Sequence, residues 1–157
     1  MPPLMTTPHN APALSDATDN ACPLCAAQGE TVLWADDFCR VIAADDADYP
    51  GFCRVILWRH VREMSDLSPE EQTRLMRVVF AVESVLRRHS DADKINLASF
   101  GNQVPHLHWH VIPRWRDDRH FPDSIWTAPR RSGELRTRRV PAAEALRSLL
   151  AIELTAD

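Results

Sequence analysis

No stretch of this sequence approaches the ~20 consecutive apolar residues of a membrane span. The N-terminus also lacks a charged segment followed by an apolar run, so no secretory leader is expected. An excess of basic charge is missing too. The formal net charge of −4 argues against a general nucleic-acid or membrane-surface binder, while leaving room for a locally positive pocket that takes a small anion. Cysteine is sparse: Cys22, Cys25, Cys39 and Cys53 are the four. Without a sign of secretion they read as reduced thiols in a cytoplasmic chain. No internal repeat is visible. At 157 residues the chain suits one domain with a substantial core and is short for two.

Residues 1–19 are rich in Pro, Ala, Thr and Asp and predict a disordered tail, leaving 20–157 as a single domain. "TVLW" (31–34) and "FCRVIA" (38–43) are short β-prone runs separated by Ala35-Asp36-Asp37, the pattern of a hairpin. Pro50-Gly51 marks a turn before a third strand, "FCRVILW" (52–58). Ser68, Pro69 and Glu71 form a helix-start signature. Leu75, Val78, Val79, Val82, Val85 and Leu86 then recur at helical spacing, and the helix should stop near 89–91. "KINLASF" (94–100) predicts a fourth strand and "HLHWHVIPRW" a fifth, stopped near Pro113. A second helix is expected over about 142–154. The sum is an α+β chain: an antiparallel sheet of about five strands, one long helix and a C-terminal helix.

The fifth strand carries the chemistry. On a strand His106, His108 and His110 share one face, and Leu107, Trp109 and Val111 point into the core. Three unpartnered buried imidazoles would be costly, so the histidine face must meet something polar. Plain solvent, a metal held by the His-x-His pair and catalysis on phosphate by a nucleophilic imidazole are the three readings open.

"NQVPHLHWHVIPR" resembles the signature of the histidine triad (HIT) family, His-φ-His-φ-His-φ-φ with φ hydrophobic. The Cys-x-x-Cys start, the strand pair, "PGFCRVILWRHV", the helix after "LSPEE" and "KINLASFGNQ" fall in that family's order, covering roughly residues 22–115. The resemblance implies a HIT-like fold and hydrolysis or transfer at the α-phosphate of dinucleoside polyphosphates or nucleoside phosphoramidates, with adenosine nucleotides the first expectation. It makes His108 the nucleophile that carries a nucleotidyl group, His110 a phosphate contact and His106 a support for His108. Asn96, Asn102, Gln103 and the backbone N–H groups of 101–104 become phosphate or nucleotide contacts; Phe38, Val41 and Ile42 become apolar candidates for the base. It also implies a homodimer, no nucleic-acid partner and no metal required for the chemistry.

Two features depart from, or add to, that pattern. Many members have Gly-His at the start of the third strand, whereas this chain has Gly51-Phe52, so the support around the triad is in question. Cys22-Pro-Leu-Cys25 has the spacing of half a zinc site. The resemblance completes it with His60 and His106 as a closed, structural set. Two rival functions stay open: a non-catalytic nucleotide-binding scaffold, and a metalloenzyme built on the His-x-His strand. Arg114 could meet a phosphate and Trp126 could stack on a base. The "RRSGELRTRR" run reads most simply as a solvated loop, and Cys39 and Cys53 as packed small apolar residues.

Overall fold

The structure, a computed structural model, describes residues 21–155; the expected tail over 1–19 lies outside them. A four-residue helix, α1 (Pro23–Ala26), precedes β1 (Thr31–Ala35), β2 (Cys39–Ala43) and β3 (Cys53–Leu57). The long helix α2 (Pro69–His89), β4 (Lys94–Ala98), β5 (His108–Arg114) and α3 (Ala143–Thr155) follow. The five strands form one antiparallel sheet in the order β1-β2-β3-β5-β4. Neither α1 nor the single 3-10 turn at Met64–Asp66 was legible as an element in the sequence.

Local chemistry explains each boundary. Asp36 Oδ1 accepts from the N–H groups of Phe38 and Cys39 at 2.9 and 2.8 Å, an Asx turn that closes the β1–β2 hairpin. At the start of α2, Ser68 Oγ accepts from Glu71 N at 3.3 Å while Glu71 Oε2 accepts from Ser68 N at 2.9 Å. This reciprocal box satisfies two backbone donors that have no partner within the helix. All six periodic residues of α2 are buried, as their spacing predicts. Each stabilises the fold by about 1.5–3 kcal/mol relative to exposure.

The sheet has two unlike faces. Cys39, Val41, Cys53, Val55, Leu57 and Val111 pack against α2, with Leu146 and Leu150 of α3 closing the same core. Burial pushes the Cys39 and Cys53 thiols up to about 12, so both stay protonated and behave as small apolar groups. The opposite face carries Arg40 and Ile42 of β2, Arg54 and Ile56 of β3, and His108, His110 and Arg114 of β5, as the pairing registers dictate.

One expectation for β5 is revised. The strand begins at His108, two residues later than expected, because His106 sits in a bend that follows Pro105. The strand ends at Arg114, next to the expected stop at Pro113. Pairing with β3 ends at Cys53–Val111, so at Pro113 only β4 is a neighbour and the missing N–H is tolerated. The basic run is not simply solvated either. Arg130 pairs with Asp123, Arg136 with Asp91 and Asp117, and Arg138 with Asp117. Those pairs strap an irregular segment onto the domain.

Candidate functional site

β5 is a central strand, so its polar face is held rigidly between β3 and β4. His108 and His110 stand next to one another there, ring centroids 4.8 Å apart. His108 Nδ1 lies 2.6 Å from the backbone carbonyl of His106. A carbonyl only accepts, so Nδ1 carries the proton and the lone pair resides on Nε2. Burial lowers the His108 pKa below the ordinary histidine value; the bond to the His106 carbonyl opposes this and the Arg54 charge adds to it. Burial likewise lowers His110, to about 4, with His108 and Arg54 contributing. Both rings are therefore neutral at pH 7, the state in which an imidazole can act as a nucleophile.

His106 does not share this face as the alternation predicted. Its side chain is fully buried and turned toward the N-terminal segment. His106 Nε2 lies 2.8 Å from the Leu57 carbonyl and must donate to it. That leaves the Nδ1 lone pair aimed at Cys22 Sγ (3.5 Å) and Cys25 Sγ (3.4 Å). His60 Nδ1 lies 3.2 Å from Cys25 Sγ. The four ligand atoms all fall within 4.8 Å of one another, and the group could hold a metal ion. Tetrahedral zinc with ordinary Zn–S and Zn–N lengths places its ligand atoms about 3.4–3.8 Å apart. The donor types and the His106 tautomer fit such an ion, and the 3.2–3.5 Å contacts lie close to those spacings. Among the described residues no other group of this kind occurs, and neither His108 nor His110 belongs to it.

A cleft of about 440 Å³ opens over His108 and His110, lined also by Arg54, Asn102, Gln103 and Trp126 among others. Gly101, at φ +121°, turns the chain at its edge. Among the described residues no backbone hydrogen bond uses the N–H groups of 101–104, which leaves them as donors for an anion. Trp126 and Phe100, both about half exposed, meet edge to face at 4.8 Å, and the Trp126 ring lies 5.0 Å from that of His110.

Other expected contacts lie elsewhere. Asn96 faces Ile112 across the β4–β5 pair, while Ala98 faces His110. Asn96 Oδ1 accepts from Arg114 at 2.7 Å and lines a neighbouring depression rather than the triad cleft. Arg114 is itself buried against Asp118, Asn96 and the Asp123 carbonyl, which occupy four of its five N–H donors. Val41 is fully buried in the core and Phe38 packs against it; of the three base candidates only Ile42 shares the triad's face. Phe52 packs its ring 5.6 Å from that of His110, and His110 Nδ1 is buried without a hydrogen-bond partner among the described residues.

One contributor went unnoticed in the sequence: Arg54. Its signal was there, a charged residue inside the apolar run "FCRVILW".

Residues 26–117, more than half of the chain, match the family model of the HIT domain. The chain belongs to the HIT domain family. An AP-4-A phosphorylase of Mycobacterium tuberculosis is 35% identical to this HIT protein over 78 residues, 46% of this chain and 40% of that one. An asymmetrical bis(5'-nucleosyl)-tetraphosphatase of Schizosaccharomyces pombe is 34% identical over 83 residues, 50% of this chain and 46% of that one. The HIT chain thus spans less than half the length of these relatives. Among solved structures, a histidine triad protein from Bradyrhizobium japonicum superimposes with a TM-score of 0.60 at 24% identity, covering 80% of this chain and 89% of that one. A Zn-bound histidine triad family protein from Mycobacterium smegmatis gives 0.56 at 23%, covering 87% and 98%. Both share the fold. No helix among the described residues is long and apolar enough to cross a membrane.

Proposed function

We propose that this HIT protein is a nucleotide hydrolase or nucleotidyl transferase that acts at the α-phosphate of dinucleoside polyphosphates or nucleoside phosphoramidates. The observation that carries the reading is the tautomer of His108: its Nδ1–H is fixed by the His106 carbonyl, leaving the Nε2 lone pair as nucleophile. Nε2 attacks phosphorus in line, the bond to the leaving oxygen or nitrogen breaks with its electron pair, and the leaving group takes a proton from solvent, which is returned when the water of the next step gives up its own. Water then attacks the nucleotidyl-histidine, the N–P bond breaks, and neutral His108 is regenerated with release of a nucleoside monophosphate. A transferase replaces that water with another acceptor. His110 and the free N–H groups of 101–104, with Asn102 and Gln103, hold the phosphoryl oxygens through both steps. The printed activities of the relatives, on AP-4-A and bis(5'-nucleosyl) tetraphosphate, support the substrate class.

Cys22, Cys25, His60 and His106 hold a zinc ion in this reading. A zinc held there would tie α1 to the strand entrance and, through the His106 backbone, steady the carbonyl that orients His108. A site of four protein donors would be closed and structural, leaving the phosphate chemistry to the imidazole. Pairing of two copies belongs to the same proposal: β4 is an edge strand and Phe80 of α2 stands 52% exposed.

The test is single-turnover release of AMP from diadenosine tetraphosphate and from adenosine phosphoramidate by chelator-treated protein, with mass spectrometry of the quenched chain. Wild type should release AMP and gain an adenylyl group, and His108→Gly should do neither. A fully active His108→Gly protein would refute the mechanism. Phe52 beside a His110 Nδ1 that has no hydrogen-bond partner among the described residues favours one rival, a nucleotide-binding scaffold. Tight AMP binding without turnover on either substrate would establish that rival.

A further inference from the structure

Three arginines stand on the triad's face of the sheet, and two of them are spoken for. Arg40 is fully buried and binds Glu30 at 2.6 Å; Arg114 binds Asp118 at 2.7 Å. Arg54 differs. Among the described residues it has no carboxylate partner, and its Nε is buried without a hydrogen bond. The Phe52 ring lies 5.6 Å from its guanidinium carbon. A guanidinium on a central strand, partly removed from water and unpaired, is costly unless something anionic meets it.

Its position says what. Arg54 pairs with His110 across β3 and β5, and its neighbour Ile56 pairs with His108. Directly opposed residues in an antiparallel pair bring their Cβ atoms within about 4.5–5.5 Å. Arg54 therefore flanks the triad from the β3 side, while the free N–H groups of 101–104 flank it from the β4 side. Arg54 lines the same cleft as His108 and His110, and no carboxylate is among that cleft's lining residues. The positive charge is thus uncompensated inside the site.

We propose that Arg54 contacts substrate phosphate directly, its planar fork gripping phosphate oxygens beside His110. This rests on the nucleotide reading of the cleft but not on turnover. An arginine fork matches phosphate geometry through two parallel hydrogen bonds, which an ammonium cannot reproduce.

The test measures binding of AMP and of inorganic pyrophosphate by calorimetry, for wild type, Arg54→Met and Arg54→Lys, with thermal melts to show that each variant folds. Pyrophosphate has no nucleoside, so it isolates the phosphate contact. Arg54→Met should weaken both ligands by about 10- to 100-fold, and Arg54→Lys by less, since it keeps the charge and loses the fork. Turnover by Arg54→Gly should be partly rescued by added guanidinium. Unchanged pyrophosphate affinity in folded Arg54→Met overturns the proposal, as does equal loss in Arg54→Met and Arg54→Lys with no rescue. If wild type binds both ligands yet turns over no substrate, the catalytic reading fails while the assignment of Arg54 stands.

Discussion

His108 and His106 show how one hydrogen bond to a carbonyl decides what an imidazole can do. In His108 the carbonyl accepts from Nδ1–H and leaves the lone pair on Nε2; in His106 the carbonyl accepts from Nε2–H and leaves the lone pair on Nδ1, toward the thiols. Replacing His108 by Gly should lower kcat on a competent substrate by about 10³-fold or more, with the melting temperature nearly unchanged. Survival of more than a tenth of the activity would assign the chemistry elsewhere. His110 and Asp118 make a second prediction, on pH. The folded chain holds His110 at about 4, below the ordinary 6.5, so as pH falls through 6.5 the unfolded chain takes up this proton first and stability declines until about 4. Burial pushes Asp118 up, but the Arg114 guanidinium and three backbone N–H groups outweigh it and hold the carboxyl at about 2, below 3.8. That contribution is present above 3.8 and is lost as pH falls toward 2. Urea midpoints should therefore fall steadily from pH 7 to pH 3 at constant slope. A flat midpoint between pH 7 and 4 would show that His110 does not resist protonation as described.

At the scale of the element, two substitutions probe whether turns and caps hold the site's scaffold. Ser68→Ala removes one half of the reciprocal box on α2 and should cost about 1 kcal/mol in denaturant unfolding, leaving AMP binding unchanged. Gly51 lies at φ +82°, and a Cβ there would meet Val140 Cγ1 at 2.5 Å. Gly51→Ala should therefore destabilise by about 1–3 kcal/mol, because strain and a clash coincide where β3 begins. A loss no larger than that of an exposed Ala substitution would mean the turn relaxes freely. The helices and strands with strong periodicity were legible: α2 declared both its start signal and its buried face. The start of β5 was not. Alternation runs unbroken through His106, and only the bend after Pro105, together with the thiols and carbonyl waiting across the fold, draws that ring off the strand face.

Across the whole molecule, the metal-capable group ties residues 22 and 25 to positions 60 and 106. If it holds zinc, Cys22→Ala with Cys25→Ala should abolish the bound metal measured by elemental analysis and lower the melting temperature, whereas His108→Gly should keep a full complement of metal. Metal retained by the double cysteine variant, but lost with His108, would instead point to a metal on the strand.

The sequence alone determined the α+β class, the limits of most strands, the long helix with its cap, and the histidine motif. These depend on local spacing, which a strand or helix converts directly into a face. Tertiary structure alone decided the partners. It turned the His106 ring off the strand face and left Asn96 and Arg114 bound to each other beside the cleft. It also left Arg54 without a carboxylate while Arg40 and Arg114 each found one. Tautomer, pairing and accessible charge depend on groups dozens of residues apart meeting within a few ångströms, and no local pattern in the chain encodes those distances.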